Sequence, residues 1–373
     1  MGSGFRARRG LRALVVTTTV MLTSAALVTA PAVTASADTA TNTQRAQRGA
    51  QWLANQIKAN GGFLETSGAA DPVNTAYAVI GMRAAGIDKP ASDKAVAFLK
   101  KNIGPALQLQ GKDSAGGLAD YIMASVADAQ DPRHFGGTAA KNNLVNRLLA
   151  TQRKSGTDKG LFGSQDPTFD GAFRQGLALA ALAAVHVSPK DARVTAGITW
   201  LVRQQCTNGL WEAYRAKTTT ACPPANAQTF TGPDTNSTAF ALMGLAAWKK
   251  FPRLSVMLRG LKSVQSSDGG WPFVAAAGQA SDPDSTALVI QALVAEKSSP
   301  TLARWKQGAA GPYAALGSYQ LDCTSPDFGA FWFPGQPTTA NVFATVQAVP
   351  AMAGKPFPVP LTKASTTVPL TPC

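Results

Sequence analysis

Two aspartates, Asp282 and Asp284, are the carboxyl groups best placed in this sequence for acid catalysis. A single proline separates them, and an apolar segment that runs to Ala295 follows, so both are expected at the start of a helix. An aspartic acid that protonates a substrate must itself stay protonated, which requires burial and a neighbouring negative charge to raise its pKa. Asp282 and Asp284 are therefore the candidate catalytic residues.

A structural role for these aspartates competes with catalysis. The same order of residue types, an aspartate followed four residues later by threonine and alanine, precedes two other apolar segments, at Asp71 and at Asp234. Asp, Asn, Ser and Thr accept hydrogen bonds from the free amide groups in the first turn of a helix. A helix cap explains a pattern that recurs, whereas a catalytic acid is needed once, so we favour capping.

A repeated unit must position these residues. Six times, an apolar segment leads into a Gly-rich stop that ends in an aromatic residue, and a second, Ala-rich apolar segment follows. A period of about 45 to 60 residues indicates stacked supersecondary units. The clearest copies carry a glutamine before the stop, whose amide can stack on the aromatic ring and bond the helix end. These copies are Gln205 with Trp211, Gln265 with Trp271 and, more loosely, Gln56 with Phe63.

The two segments of each unit predict two kinds of helix. The first combines an apolar stripe with charges, which is typical of a helix with one wet face, and the second is apolar nearly all round, as in a helix buried on both sides. Without recurrent alternation, few or no long strands are expected. We predict an all-α, α6/α6 toroid with outer helices at 50–59, 92–101, 142–152, 191–205, 253–265 and 301–320, and inner helices at 75–85, 121–127, 172–184, 238–248, 285–295 and 341–349.

Parallel inner helices would gather their first residues at one opening of the toroid. Polar groups beneath an aromatic rim suit a small ligand with an apolar body and polar handles, and the alternative is a centre filled by the protein's own side chains. The candidate ligand-binding residues are Asn74, Tyr121, Asp170, Arg174, Asn236, Trp211, Trp271 and Trp332. Asp170 and Arg174 are four residues apart and are expected to form an ion pair.

The repeats resemble the QW repeat of squalene–hopene cyclases over roughly residues 45–350. This resemblance implies the toroid of the terpenoid cyclase/protein prenyltransferase superfamily, a fold that hosts several functions. The matching segments are Arg48-Gly-Ala-Gln-Trp52-Leu53 with Gln56 and Gly61-x-Phe63, and Ala196-Gly-Ile-Thr-Trp200-Leu201 with Gln205 and Gly209-x-Trp211.

Two further resemblances imply different functions, one catalytic and one of ligand binding. The segment from Asp282 to Ala287 is similar to the Asp-x-Asp-Asp-Thr-Ala run of class II terpene cyclases, which implies Asp284 as the proton donor, although Ser285 replaces the third aspartate. The segment from Gln347 to Lys355 resembles the close of the helical domain in cobalamin carriers, which implies a corrinoid ligand.

Metal-dependent chemistry has few candidate residues. The chain has only two histidines, His134 and His186, and neither lies at ligand spacing from a cysteine. Asp322-Cys323 lacks the histidine that would complete the zinc site of a protein prenyltransferase. We therefore expect no metal and no resident cofactor.

The first 37 residues are predicted to be a signal peptide. Four arginines precede a mostly apolar stretch and an Ala-Ser-Ala cleavage pattern, which is typical of secretion, and an uncleaved anchor is the alternative. Those arginines account for four of the chain's +14 charges, which leaves +10 on a secreted chain. The basic residues form no dense run, so no nucleic acid is expected, whereas anionic cell-wall polymers or lipid headgroups are a candidate partner class.

Four cysteines in an exported chain indicate disulfides. Cys206 and Cys222 flank one insertion within a repeat and are expected to pair, which leaves Cys323 with Cys373. That second bond would tie a Pro/Thr-rich tail, residues 354–373, to the toroid of residues 38–353.

The sequence favours a secreted, monomeric toroid that binds a small amphipathic ligand, corrinoid-like or isoprenoid-like, or serves as a surface scaffold, without catalysis. The alternative is a class II terpene cyclase-like enzyme in which Asp284 is the general acid.

Overall fold

The structure is a computed structural model that describes residues 41–163 and 167–360. The predicted signal peptide and Cys373 lie outside the described residues. The described helices are α1 (Asn42–Ala59), α2 (Pro72–Ala85), α3 (Lys89–Lys101), α4 (Ala115–Ala127), α5 (Leu144–Ala150), α6 (Pro167–Asp170), α7 (Ala172–Ala184), α8 (Ala192–Arg203), α9 (Thr235–Ala247), α10 (Leu254–Ser263), α11 (Pro283–Ala295), α12 (Pro312–Gly317) and α13 (Val342–Met352). The described strands form two short hairpins, β1 (Leu64–Thr66) with β2 (Ala69–Asp71) and β3 (Gln108–Leu109) with β4 (Lys112–Asp113).

Six helices form a closed inner ring. In order, α2, α4, α7, α9, α11 and α13 each contact the next, and α13 contacts α2. The outer helices are α1, α3, α5, α8, α10 and α12, and α6 is a single extra turn before α7. Closure of the ring gives each inner helix neighbours on both sides, which is why its sequence is apolar nearly all round. The predicted α6/α6 toroid is confirmed.

Glycines let two inner helices approach closely. A Cβ atom on Gly176 of α7 would lie 2.1 Å from the Phe240 carbonyl oxygen of α9, and one on Gly244 of α9 would lie 2.5 Å from the Gly176 carbonyl oxygen. Real Cβ atoms do not approach backbone so closely, so any larger residue would separate the helices. The Ala- and Gly-rich inner segments therefore set the diameter of the ring at this point.

The Gln–Gly–Trp segments tie outer helix, turn and inner helix together. The Gln265 amide donates to the Gly269 carbonyl oxygen at 2.8 Å and the Trp271 indole donates to the Leu261 carbonyl oxygen at 2.8 Å. The Trp271 backbone N–H donates to the Thr286 hydroxyl oxygen at 2.9 Å. Equivalent bonds join Gln205 to Gly209, Trp211 to Leu201 and Trp211 to Thr238. Because these polar groups are bonded, the turn can be buried at little cost in free energy.

The recurring aspartates cap the inner helices. Asp71, Asp234 and Asp282 accept hydrogen bonds from the third backbone N–H of α2, α9 and α11 at 2.9, 2.6 and 2.7 Å. These bonds satisfy amide groups that have no partner within the helix. The capping role that the sequence favoured is confirmed at all three positions.

Two predicted boundaries are wrong. Helix α4 begins at Ala115, capped by Ser114, so Gly116 and Gly117 lie in its first turn rather than in a stop before it. The sixth outer segment, 301–320, is not one helix: residues 303–305 form a 3-10 turn and α12 begins only at Pro312. Gly308, which has a positive φ of 59°, and the helix-starting Pro312 break the segment.

The predicted tail begins inside the ring. Phe357 is buried, and its ring centroid lies 5.9 Å from those of Tyr77 on α2 and Phe240 on α9. The Lys355 carbonyl oxygen accepts a hydrogen bond from Gln291 of α11 at 2.9 Å. Residues that follow the last helix therefore plug the centre of the toroid.

One predicted disulfide is described in full. Cys206 and Cys222 are bonded, with Cα atoms 5.6 Å apart, as the sequence predicted. Cys323 is also disulfide-bonded, and the partner expected for it lies outside the described residues. Among the described helices, none is both long enough and apolar enough to cross a bilayer.

Candidate functional site

A cavity of about 340 Å³ opens where the inner helices begin. We call this opening the mouth and this space the mouth cavity. It lies among the first turns of α2, α4, α7 and α13 and beside the β3–β4 hairpin. The lining residues are Val73, Asn74, Tyr77, Ala106, Gln108, Leu109, Ser114, Gly116, Gly117, Asp120, Phe169, Phe173, Arg174, Leu177, Phe343, Val346 and Gln347.

Asp120 is the buried carboxyl group of the mouth cavity. It lies on α4, is 4% exposed, and its Oδ1 atom has no hydrogen-bond partner among the described residues. Burial raises the pKa of Asp120 to about 7, while a polar contact with the Tyr77 hydroxyl and the positive charge of Arg174 oppose that rise. A carboxyl group in this state can accept a hydrogen bond from a ligand or exchange a proton near neutral pH.

Arg174 crosses the mouth cavity from α7 to α4. Its guanidinium lies 3.3 Å from the centroid of the Phe169 ring and its Nη1 atom lies 3.6 Å from Asp170 Oδ1. A Cβ atom on Gly116 would lie 3.0 Å from Arg174 Nε, so the glycine makes room for the arginine. The ion pair with Asp170 that the sequence predicted is present. Asp170 itself is fully buried beneath the guanidinium.

Two amides complete the polar part of the cavity wall. Gln347 of α13 has a buried Oε1 atom with no hydrogen-bond partner among the described residues. Asn74 of α2 is buried, and its Nδ2 donates to Asp71 at 2.7 Å. Asn74 is thus a predicted site residue that does line the cavity, whereas sequence reasoning missed Gln347 because nothing in its local pattern distinguishes it from a core position.

Phenylalanines form the rim of the mouth. Phe169 and Phe343 line the mouth cavity and are each 46% exposed. A second cavity of about 280 Å³ shares Phe169, Phe173 and Arg174 with the first and reaches Asp234 and Phe273. Phe273 is 40% exposed and pairs with Phe230, which is 71% exposed, at a centroid separation of 6.4 Å. Exposed aromatic groups gathered at one opening mark a contact surface.

The aromatic residues predicted for the rim lie elsewhere. Tyr121, Trp211 and Trp271 are fully buried, so their predicted placement at the mouth is wrong. Tyr121 donates to the Asn102 carbonyl oxygen at 3.3 Å, and the tryptophans bond the outer helices. The two tryptophans lie between the layers of the toroid because each ends the turn before an inner helix, whereas Tyr121 lies within α4.

Two further candidates lie near the mouth but outside both cavities. Asn236, in the first turn of α9, is half-buried, and Trp332 is half-buried against Tyr319 at a centroid separation of 5.2 Å. Asn236 Oδ1 accepts a hydrogen bond from the Thr235 hydroxyl group at 3.5 Å. Neither residue lines the mouth cavity or the second cavity, and their roles in binding stay predictions.

The candidate catalytic aspartates have different surroundings. Asp282 accepts from the Ser285 N–H and hydroxyl at 2.7 and 2.8 Å, which makes it a cap. Asp284 Oδ1 has no hydrogen-bond partner among the described residues, and burial, followed by the charge of Asp282, raises the pKa of Asp284 to about 7. A pKa near 7 leaves the Asp284 carboxyl group partly protonated at neutral pH, as an acid catalyst requires, but Asp284 lines neither of the two mouth cavities.

A group of sulfur and carboxylate ligands is not a metal site. The sulfur atoms of Cys206 and Cys222 lie within 4.8 Å of a Glu212 oxygen. Because these sulfurs are joined in the disulfide, they cannot coordinate a metal as thiolates.

Comparison with solved structures identifies the fold. An unsaturated glucuronyl hydrolase from Bacillus sp. GL1 is 13% identical, with a TM-score of 0.59 over 84% of this chain and 96% of that chain. Candida albicans protein geranylgeranyltransferase-I is 11% identical, with a TM-score of 0.52 over 82% and 89%. A type II terpene cyclase from Scytonema is 14% identical, with a TM-score of 0.50 over 84% and 97%. The protein is an α/α toroid.

These similarities, all below 25% identity, show the fold alone. Neither a protein-family model nor a curated protein sequence matches the chain. The similar toroids are named for unrelated reactions, so the fold leaves both ligand binding and catalysis open. The function must be argued from the mouth.

Proposed function

We propose that this protein is exported and binds a small amphipathic molecule in the mouth cavity, without catalysis. The observation that carries the proposal is a cavity with phenylalanine walls that contains two buried oxygen atoms, Asp120 Oδ1 and Gln347 Oε1, with no described partner. Buried polar atoms are normally bonded. Their placement in a cavity, rather than in the packed core, supports a ligand as the missing partner.

The volume and shape of the mouth cavity support a small ligand. About 340 Å³ lies at the lower end of the range of small-molecule sites, roughly 300 to 1,000 Å³. Phe357 and Tyr77 close the centre below it, so the ligand would enter and leave by the mouth. Corrinoids and isoprenoids, the ligand classes implied by the sequence, are the first to test.

Thermal denaturation in the presence of isoprenoids and corrinoids tests the proposal. A ligand that binds the folded state raises the midpoint of unfolding by mass action. We expect one of these classes to raise it for the wild-type protein and for Phe251→Ser, which changes an exposed phenylalanine outside the cavity. Phe343→Ser should abolish the increase. Unchanged midpoints with every amphipathic molecule would overturn the proposal.

A class II cyclase-like activity is the second candidate, because Asp284 is a buried acid with a free oxygen and a pKa raised to about 7. Incubation with polyprenyl substrates, followed by analysis for cyclic hydrocarbons, tests it. Product formed by the wild-type protein and lost in Asp284→Asn would establish the cyclase. The matched variant Asp234→Asn alters a cap on the neighbouring inner helix and should retain any such activity.

Adsorption to anionic polymers is a separate proposal that rests on charge. The excess of basic residues favours association with cell-wall or lipid anions, and such association weakens with salt. Retention on anionic vesicles at low salt that disappears at high salt would support it. Equal retention on neutral vesicles would contradict it.

A further inference from the structure

We infer that the ligand of the mouth cavity presents an uncharged, hydroxyl-bearing head group to Asp120 and Gln347, with its apolar body between the phenylalanines. This inference rests on the proposed function and narrows the ligand class. It follows from the hydrogen-bonding capacity and the charges already present in the mouth, taken one at a time below.

The head group must supply hydrogen-bond donors. Gln347 Oε1 can only accept, and Asp120 Oδ1 accepts whenever the carboxyl group is ionised. Both atoms are buried and without described partners, and leaving such atoms unbonded costs roughly 1 to 3 kcal/mol each. Because each hydroxyl group donates one hydrogen bond, two hydroxyl groups satisfy both atoms. A hydroxyl oxygen can also accept a hydrogen bond from Arg174, which lines the same cavity.

An anionic head group is disfavoured by the carboxylates of the mouth. Helix N-termini attract anions through their free N–H groups, but Asp71 already caps α2, whose first turn carries Asn74 on the cavity wall. Asp120 and Asp170 add two more carboxyl groups around the single guanidinium of Arg174. A carboxylate or phosphate would thus meet like charges at short range.

A cationic head group is disfavoured by Arg174. The guanidinium lies on the cavity wall, stacked on Phe169, so the aromatic face best suited to a cation is already taken. An ammonium group bonded to Asp120 would lie close to this fixed positive charge, whose effect on the Asp120 carboxyl group is direct. Because anionic and cationic head groups are both disfavoured, an uncharged hydrogen-bond donor fits the cavity best.

The rest of the cavity fits an apolar body. Phe173, Leu177 and Val346 line its inner part and Phe343 its outer part. These groups offer no hydrogen bonds, so affinity there comes from removal of apolar surface from water. A sugar ring with an alkyl substituent, or a short alcohol-terminated chain, has both properties.

Isothermal titration calorimetry with three probes of equal alkyl length tests the inference. The probes are octyl glucoside, sodium octanoate and octylammonium chloride, each below its critical micelle concentration. We expect octyl glucoside to bind at least about tenfold more tightly than either charged probe, which corresponds to one retained hydrogen-bonding contact. This ranking uses the unmodified protein and does not depend on whether a variant folds.

Variants then locate the head group. Asp120→Leu and Gln347→Leu should each weaken octyl glucoside binding by roughly tenfold, whereas Glu65→Gln, an exposed carboxylate of β1 outside the cavity, should not. Tighter binding of octanoate or octylammonium would overturn the inference and leave the proposed function standing. Octyl glucoside binding that is unaffected by either leucine variant would overturn the assignment to these two residues. Binding of none of the probes, together with flat thermal curves, would overturn the proposed function itself.

Discussion

The fourth and fifth repeats start their inner helices differently from the second and third. In the former, an aspartate caps the helix and a threonine four residues later bonds the preceding turn, as at Asp282 and Thr286. In the third repeat Gly171 caps α7 without a side chain, and in the second Leu118 occupies the position of the threonine. In the regular repeats the capping aspartate and the threonine are both bonded within the repeat.

The departures from the pattern coincide with the mouth cavity. Gln175 replaces the threonine on α7, and its side-chain oxygen accepts a hydrogen bond from the Phe162 N–H at 2.7 Å. Arg174 and Asp120 then lie on the two irregular helices and face the same space. The comparison teaches that, in this repeat protein, a position that breaks the pattern is a better guide to the site than one that keeps it.

The largest expected effect on stability comes from a substitution in the regular fifth repeat. Trp271→Ala removes a fully buried indole that bonds the Leu261 carbonyl oxygen, and we expect a loss of about 3 to 5 kcal/mol in the free energy of unfolding. Urea denaturation measures it. Trp332→Ala, which removes a half-buried indole, is the control, and an equal loss in both variants would contradict the distinction.

Removal of the central plug should have the next largest effect. Phe357→Ala leaves a cavity between Tyr77 and Phe240, at a cost of about 3 kcal/mol, and deepens the mouth cavity. We expect the midpoint of unfolding to fall and longer alkyl glucosides to bind more tightly than shorter ones. An unchanged preference for chain length would show that the plug is not the floor of the ligand site.

Loss of the hydrogen bond between Trp271 and Thr286 should lower the free energy of unfolding by a smaller amount. Thr286→Val leaves the buried Trp271 N–H without its acceptor, which costs roughly 1 to 3 kcal/mol. Thr286→Ser keeps the hydroxyl group and should lose less than half as much in the same denaturant titration. If serine and valine destabilise the protein equally, packing of the methyl group, rather than the hydrogen bond, holds the turn.

The second repeat, which carries Asp120, predicts a pH-dependent effect. Here a substitution is expected to raise the relative stability of the protein, whereas the preceding substitutions lower it. The pKa of Asp120 is raised from 3.8 to about 7, so the folded state binds a proton that the unfolded state releases. Its contribution to stability is full below pH 4 and is lost as the pH rises through about 7. Asp120→Asn should therefore become more stable than the wild-type protein as the pH rises from 5 to 8, by thermal denaturation. A difference that does not vary with pH would contradict the burial of this carboxyl group.

The repeats made most of the fold predictable. The alternation of one-sided and all-round apolar segments placed the inner helices of the fourth and fifth repeats within three residues of their observed starts at Thr235 and Pro283. The predicted start at residue 121 is wrong for α4, because Gly116 and Gly117 resemble the Gly-rich stops of the other repeats but lie within the helix. Glycine there has a packing role that depends on Arg174 of another helix, so no local pattern could reveal it.

The candidate site was only partly predictable. Asn74, Asp170 and Arg174 were found because polar residues at the start of an apolar helix are conspicuous. Asp120 and Gln347 are absent from the residues that the sequence predicted for the site. Tryptophan was expected at the rim because it lies in the loops near the starts of the inner helices, yet the phenylalanines take that place. Tryptophan has an N–H that needs a buried acceptor, which the outer helices supply.

By itself, the sequence determined the helices, their caps and the closure of six similar hairpins, because capping and amphipathic periodicity act over a few residues and are repeated. Only the tertiary structure decided which polar groups remain without partners and which segment fills the centre. Asp120, Arg174 and Gln347 come from three inner helices, and Phe357 reaches the ring from beyond the last one. Their meeting depends on how the helices pack around the ring, and residues distant in sequence carry no local signal of that packing.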